Sequence, residues 1–419
     1  MTAAGIEAIN VFGGTAYVDV AELAEHRGLN TTRFANLLMK EKAVALPFED
    51  PVTCGVNAAK PLVDVLDEEE RRTIEMVIAC SESGIDFGKS LSTYIHDHLG
   101  LHRNCRLFEV KQACYSGTAG LQMAVNFVLS RTSPSARALV VATDVSRGMA
   151  AEGGTELTDD WSFAEPSSGA GAVALLVSDH PRVFQLDAGA SGCFGYEVMD
   201  TCRPLPDSDA GNADLSLMSY LDCCKQAFRA YCERVSDVDY RRTFDYLAFH
   251  TPFGGMVKGA HRTMMRELVK APPAAIEDDF TRRVRPGLTY CQRVGNIMGG
   301  TVLLALASTI DNGELAGARR IGLFAYGSGC CSEFYSGVAV PGAQRAVRQM
   351  AIGAHLDDRH RLSMDEYEAI LRASGAVKFG TRNVTLDRRL LPAVWDRMQG
   401  TGRLYLHEIR EFHRVYEWA

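Results

Sequence analysis

The stretch "GTAGLQMAVNFVLS", residues 117–130, opens on small residues and becomes an apolar run. Two strand-like segments follow it, "ALVVATD" at 138–144 and "SGAGAVALLVS" at 168–178. The same order returns later: "GGTVLLALAST" at 299–309, then "RIGLFAYGSG" at 320–329, then "YSGVAV" at 335–340. Each set is a Gly-rich turn into an apolar helix, a strand, and a second strand entered through Ser-Gly. The spacing is far longer than that of solenoid repeats, so the pattern predicts two related halves packed together. The halves are drawn as residues 1–180 and 181–419. From Gln344 onward the chain is richer in Arg and Asp and is expected to be a helical, partly irregular peripheral region. Short continuous apolar runs such as "MVIAC" (76–80), "GAVALLVS" (171–178) and "YLAFH" (246–250) read as buried parallel-type strands. Amphipathic helix-length stretches such as "SLMSYLDCCKQAFRAYCERV" (216–235) lie between them, which predicts an α/β architecture.

A chain of 419 residues can bury a large core, and a 47% apolar share is that of an ordinary globular protein. The net charge of −8 argues against a nucleic-acid footprint, while leaving room for a local basic patch that meets an acidic partner. The first twenty residues lack a basic segment followed by an apolar one, so no signal peptide is expected, and no run is long and apolar enough to span a membrane. Twelve scattered cysteines with no CxxC pair fit free thiols in a reducing cytoplasm better than a disulfide framework. His96 and His98 have metal-like spacing but no second cluster nearby, and read as a solvated helix end. "GGTAYVDV" and "GAGAVALL" lack the spacing of phosphate-binding loops and read as turn and strand.

Three ionisable groups fall at the carboxyl ends of separate strands, where open α/β sheets place ligands. Glu82 follows "MVIAC", Cys114 follows "RLFEVKQA", and His250 closes "YLAFH". The free N–H groups of a first helical turn after Cys114 would favour a thiolate. A thiolate can take an acyl group from a thioester, and an imidazole can stabilise the thiolate or a developing oxyanion. A carboxylate whose pKa is raised by an apolar pocket can remove a proton from an acetyl methyl group, and that supports carbon–carbon bond formation. Each residue alone also has a structural reading: a core cysteine, a glutamate on backbone amides, a satisfied buried histidine.

The chain resembles the hydroxymethylglutaryl-CoA synthases of the thiolase superfamily over essentially its whole length. The carriers are "SESGIDFGKSLSTYIHDHLGL" from Ser81, "EVKQACYSGTAGLQMAV" around Cys114, "DWSFAEPSSGAGAVALLVSD" at 160–179, "SYLDCCKQAFRAYCERV" at 219–235, "FHTPFGGMVKGAH" around His250 and "RVGNIMGGTVLLAL" at 293–306. The resemblance implies the five-layered αβαβα thiolase fold, a homodimer, and catalytic roles for Glu82 as base, Cys114 as acetyl carrier and His250 at the acceptor and its oxyanion. It places substrate contacts at Ser216, Asn296 and Ser328. It implies neither a metal nor a permanently bound cofactor.

CoA-using members resemble one another in a lysine five residues beyond the histidine, where this chain has Gly255. Lys258, Arg262, Arg266 and Lys270 instead stand at i, i+4 spacing, either as a solvated helix face or as a docking stripe for an acidic acyl carrier protein and the phosphate of its phosphopantetheine arm. That departure resembles the subgroup of bacterial polyketide β-branching cassettes. Such members join acetyl from a donor acyl carrier protein, through acetyl-Cys114, to the β-keto group on an acceptor carrier protein, and hydrolysis then frees a hydroxymethylglutaryl-like intermediate. The other readings are a mevalonate-pathway synthase using acetyl-CoA and acetoacetyl-CoA, a decarboxylating ketoacyl synthase, and a non-catalytic carrier-protein docking scaffold.

Overall fold

A computed structural model describes residues 3–30, 34–146, 164–205 and 208–419. Residues 160–163 of the "DWSFAEPSSGAGAVALLVSD" motif lie outside them. Nine strands form one sheet: β1 (Gly5–Phe12), β2 (Ile74–Cys80), β3 (Arg106–Val110), β4 (Arg137–Val145), β5 (Ala170–Ser178), β6 (Phe184–Gly195), β7 (Tyr246–Phe249), β8 (Arg319–Gly327) and β9 (Cys331–Ala339). Their spatial order is β7-β8-β9-β6-β1-β5-β4-β2-β3. Reading outward from the β6–β1 junction, each side carries an antiparallel pair, β9–β8 or β5–β4, and then a parallel neighbour, β7 or β2. The junction itself is short, pairing Gly5 with Gln185 and Ile6 with Phe184. This mirrored order is what the repeated helix–strand–strand motif anticipates.

The principal helices are α1 (Pro51–Asp64), α2 (Ser116–Ser130), α3 (Ala213–Arg234), α4 (Gly254–Met264), α5 (Arg285–Val294) and α6 (Thr301–Asn312). Sequence explains their limits. Asp50 and Thr53 form a reciprocal capping box with Pro51 in the first turn of α1. The strand period of two then sorts side chains between layers. In β2, Ile78 and Cys80 join the central core with Leu121 and Ala124 of α2 and Leu303 and Leu306 of α6. The alternate residues Val77 and Ala79 face Val52, Val56 and Leu62 of α1. On the other side, Leu323 and Ala325 enter the central core, while Phe324 and Tyr326 pack on Tyr220 and Phe228 of α3 and Val257 of α4. Both sides of the sheet thus close on the α2–α6 pair, giving helix, sheet, helix, sheet, helix.

Two central segments meet glycine to glycine. A Cβ on Gly117 of α2 would lie 2.1 Å from the carbonyl oxygen of Gly299, and one on Gly299 would lie 2.2 Å from Ser116 Oγ. No larger residue lets these backbones approach.

The C-terminal region departs from its expected character. It carries helices, Met364–Ser374 and Pro392–Met398 among them, but also a three-stranded sheet of Val384–Thr385, Leu404–Arg410 and His413–Trp418. Leu404, Tyr405, Leu406 and Ile409 of that sheet bury against the α1 side of the core, so it is part of the outer layer. No helix among the described residues is long and apolar enough to cross a membrane.

Candidate active site

Cys114 sits in a sharp elbow between β3 and α2, built by Ala113 in the left-handed region at φ 42°. Its thiol is 9% exposed and lies 3.9 Å from Met298 Sδ, contributed by the Gly299 turn. Two of the N–H groups that follow it are already spent within the elbow. The N–H of Tyr115 already donates to Gln112 O (3.0 Å) and that of Ser116 to Ala113 O (3.2 Å). Burial first, then the carboxylates of Glu82 and Asp144, raises the Cys114 pKa well above that of an ordinary thiol. The resting residue is a neutral thiol, not the thiolate the helix start suggested.

Glu82 follows β2, and its loop is pinned from β4. Asp144 is wholly buried, and its Oδ1 accepts from Ser81 Oγ (3.0 Å), the Glu82 N–H (2.9 Å), the Ser83 N–H (3.0 Å) and Ser83 Oγ (2.8 Å). From the strand Thr201–Leu205, Arg203 stands 3.2 Å from Glu82 Oε1 and donates to the Glu82 carbonyl oxygen at 3.1 Å. Burial raises the Glu82 pKa to about 8, with Arg203 pulling down and Asp144 and Asp209 pushing up. Neither Asp144 nor Arg203 was singled out in the sequence. "ALVVATD" reads as an apolar strand whose last residue is a turn former, and nothing in "TCRPLPDSD" marks its arginine.

His250 begins where β7 ends. Its N–H donates to Phe324 O (2.7 Å) and its carbonyl oxygen accepts from Tyr220 OH (2.7 Å). The imidazole is 1% exposed, and its Nδ1 has no hydrogen-bond partner among the described residues. Burial pushes its pKa down to about 3, so it is neutral across the physiological range. Asn296 is oriented by its own oxygen, which accepts from the Met298 N–H (3.0 Å) and Thr301 Oγ1 (2.9 Å). That leaves the amide N–H groups as donors toward open space. Ser328 lies in the turn after β8. Buried Asp200 holds that turn, taking Tyr326 OH at 2.5 Å and the Gly329 N–H at 2.8 Å.

Glu82, Cys114, His250, Asn296, Ser216 and Ser328 all line one cavity of about 1260 Å³, with Arg203 on the same wall. Two come from before residue 180 and four from after it. The basic stripe is not part of that wall, and the helix that carries it changes type along its length. Helix α4 ends at Met264, Met265–Val269 wind as a wider π-turn, and Lys270 caps it at φ 57°. The change of period means the four cations do not lie on one unbroken α-helix. Lys258 is engaged by Glu277 at 2.9 Å and lies over the Phe280 ring, whereas Arg262, Arg266 and Lys270 are exposed with no ion-pair partner among the described residues. At Gly255 a Cβ would fall 2.0 Å from Asn36 O, so backbone fills the space of a side chain. His96 and His98 are half-buried, not solvated: His96 Nε2 is 2.8 Å from His102 O, and His98 packs on Tyr416. No cluster among the described residues is arranged to hold a metal ion.

Five alternating layers, with a thiol, a carboxylate and an imidazole on one cavity, define a condensing enzyme of thiolase fold. The chain matches the family model for the hydroxymethylglutaryl-coenzyme A synthase N terminal over residues 2–181 and that for the C terminal over 261–417, and it belongs to that family. It is 66% identical over 418 residues, the full length of both chains, to the polyketide biosynthesis 3-hydroxy-3-methylglutaryl-ACP synthase PksG of Bacillus subtilis (strain 168). It is 64% identical, at TM-score 0.96 over all of both chains, to the curacin biosynthetic pathway HMG synthase solved in complex with holo donor-ACP. It is 33% identical over 372 residues to the hydroxymethylglutaryl-CoA synthase of Enterococcus faecalis, covering 87% of this chain and 91% of that one.

Proposed function

We propose that this chain is the condensing synthase of polyketide β-branching, a homodimer that takes acetyl from a donor acyl carrier protein and adds it to a β-ketoacyl group on an acceptor carrier protein. The observation that carries the choice of carrier over coenzyme A is Gly255. The position where CoA users resemble one another in a lysine is closed here by the Asn36 carbonyl, so no cation stands there for a nucleotide. The relatives point the same way: PksG is named a 3-hydroxy-3-methylglutaryl-ACP synthase, and the curacin synthase has also been solved with acetyl donor-ACP.

Cys114 sulfur attacks the donor thioester carbonyl. The carbon–sulfur bond to the donor arm breaks, and the Cys114 proton ends on the departing pantetheine thiol, with neutral His250 placed to carry it. Glu82 then removes a methyl proton from acetyl-Cys114. The enolate carbon attacks the acceptor ketone, whose oxygen meets the Asn296 amide and His250. The alkoxide takes a proton, and water cleaves the Cys114 thioester, freeing a carboxylate, the thiol and a proton. The phosphopantetheine arms arrive on the carriers, and exposed Arg262, Arg266 and Lys270 supply cations for an acidic carrier surface.

Intact-protein mass spectrometry tests this. Wild type loads one acetyl from acetyl-carrier protein faster than from acetyl-CoA, Cys114→Ala loads none, and Glu82→Gln loads but does not condense. A preference for acetyl-CoA would instead assign the mevalonate-pathway reaction. Absence of loading from either donor would leave only a docking role.

A further inference from the structure

Glu82 has two carboxylate oxygens, and the structure treats them differently. Oε1 stands 3.2 Å from Arg203 Nη2, the closest approach of the pair, while Oε2 accepts no hydrogen bond from the described residues and Glu82 lines the cavity. Arg203 grips the same residue a second time through Nη1, which donates to the Glu82 carbonyl at 3.1 Å. Its remaining donors belong to Asp209: Nε to Oδ1 at 2.8 Å and Nη2 to Oδ2 at 3.4 Å. Arg203 and Asp209 sit on adjoining strands of a hairpin, Thr201–Leu205 and Ser208–Gly211.

We propose that Arg203, braced by Asp209, is a positioning residue for the general base: it fixes Oε1, leaves Oε2 free for the acetyl methyl proton, and sets the pH at which Glu82 is ionised. This rests on the reading of Glu82 as the base. The charges that face Glu82 support it. Asp209 from the hairpin and Asp144 from β4 are both acidic, and Cys114 at the start of α2 and His250 after β7 are neutral as described. Glu109 and Lys111 lie further along the wall. Arg203 is thus the cation that offsets burial and two carboxylates. When Glu82 takes a proton, Arg203 and Asp209 remain as a neutral pair, so the site is not left with an unpaired buried cation.

The test is deuterium uptake by the methyl group of acetyl-Cys114 in D2O, loaded from acetyl-pantetheine and followed against pH by mass spectrometry. Arg203→Met is expected to move the midpoint up by at least about one pH unit, lowering exchange at neutral pH about tenfold. Asp209→Asn removes a carboxylate and is expected to move the midpoint down. Arg203→Lys, which keeps the charge but not the fork, is expected to restore the midpoint at a lower maximal rate. Equal midpoints in wild type, Arg203→Met and Asp209→Asn, with Glu82→Gln inert, would overturn the proposal and leave Glu82 as base. Undiminished exchange in Glu82→Gln would overturn the reading of the base itself. If Arg203→Met does not load acetyl, Arg203→Lys and Asp209→Asn decide: opposite-signed or restored midpoints support the proposal, and an unmoved Asp209→Asn midpoint overturns it.

Discussion

Replacing Gly117 by alanine adds one methyl group where the chain has no room. The new Cβ would sit 2.1 Å from the Gly299 carbonyl oxygen and 2.9 Å from its carbonyl carbon, both backbone atoms that cannot rotate away. Ordinary carbon–oxygen contact needs roughly 1 Å more, so α2 and the Asn296–Gly300 turn must separate by about that distance. Overpacking of this kind costs about 1–3 kcal/mol, against which alanine returns up to about 1 kcal/mol of helix propensity. The net loss is therefore modest, up to about 2 kcal/mol once the full propensity gain is subtracted, and thermal unfolding should fall by a few degrees at most. The chemical cost is larger. Cys114 is three residues from Gly117, Met298 and Asn296 lie on the turn being pushed, and a misplacement of about 1 Å costs on the order of 100-fold in rate. Single-turnover acetyl loading and condensation, measured beside a melting curve, check this. A Gly117→Ala protein that loads, condenses and melts like wild type would refute the argument that the two halves touch at the site through these glycines.

Asn296→Asp exchanges the free N–H donors for an acceptor and should lower condensation by about 10²–10³-fold while acetyl loading survives, read by separate loading and product assays. Because burial raises the Glu82 pKa to about 8, the condensation step should rise about tenfold from pH 7 to pH 9, whereas a pKa in the ordinary carboxylate range would leave it flat. His250 is neutral above about pH 3, so acetyl loading should show no acid limb between pH 5 and 7, and a limb near 6.5 in the wild type that is lost in His250→Gln would count against the buried neutral imidazole. Arg266→Glu should slow loading from a carrier protein while sparing acetyl-pantetheine, and salt should narrow the gap.

Much of this was readable because burial on both faces writes strands as uninterrupted apolar runs. "MVIAC" and "GAVALLVS" became β2 and β5 with one or two residues added at their starts. Two of the site candidates were readable for a related reason: Glu82 and His250 break polar at the ends of such runs, whereas Cys114 follows the charged, partly exposed strand Arg106–Val110. What failed to show depends on contacts between distant segments. The strand Phe184–Gly195 alternates exposed and buried residues with three glycines, and so lacks the apolar signature. Asp144 and Arg203 act through Glu82 across 62 and 121 residues, a pairing that no local spacing encodes. The basic stripe assumed an unbroken α-helical period, and the π-turn at Met265–Val269 interrupts that period. Cys114's raised pKa follows from how deeply the elbow is packed, which its neighbours in sequence do not state.

The glycine seam between α2 and the Asn296–Gly300 turn also governs traffic. That seam is packed backbone to backbone and shares a core with both wings of the sheet, so α2 and the turn cannot part without giving up that core. Cys114 offers a single sulfur on one cavity, so thioesters that react with it do so in turn. A first thiol has to withdraw before a second guest can reach the loaded sulfur, so the order of visits follows from there being one acyl acceptor at the seam.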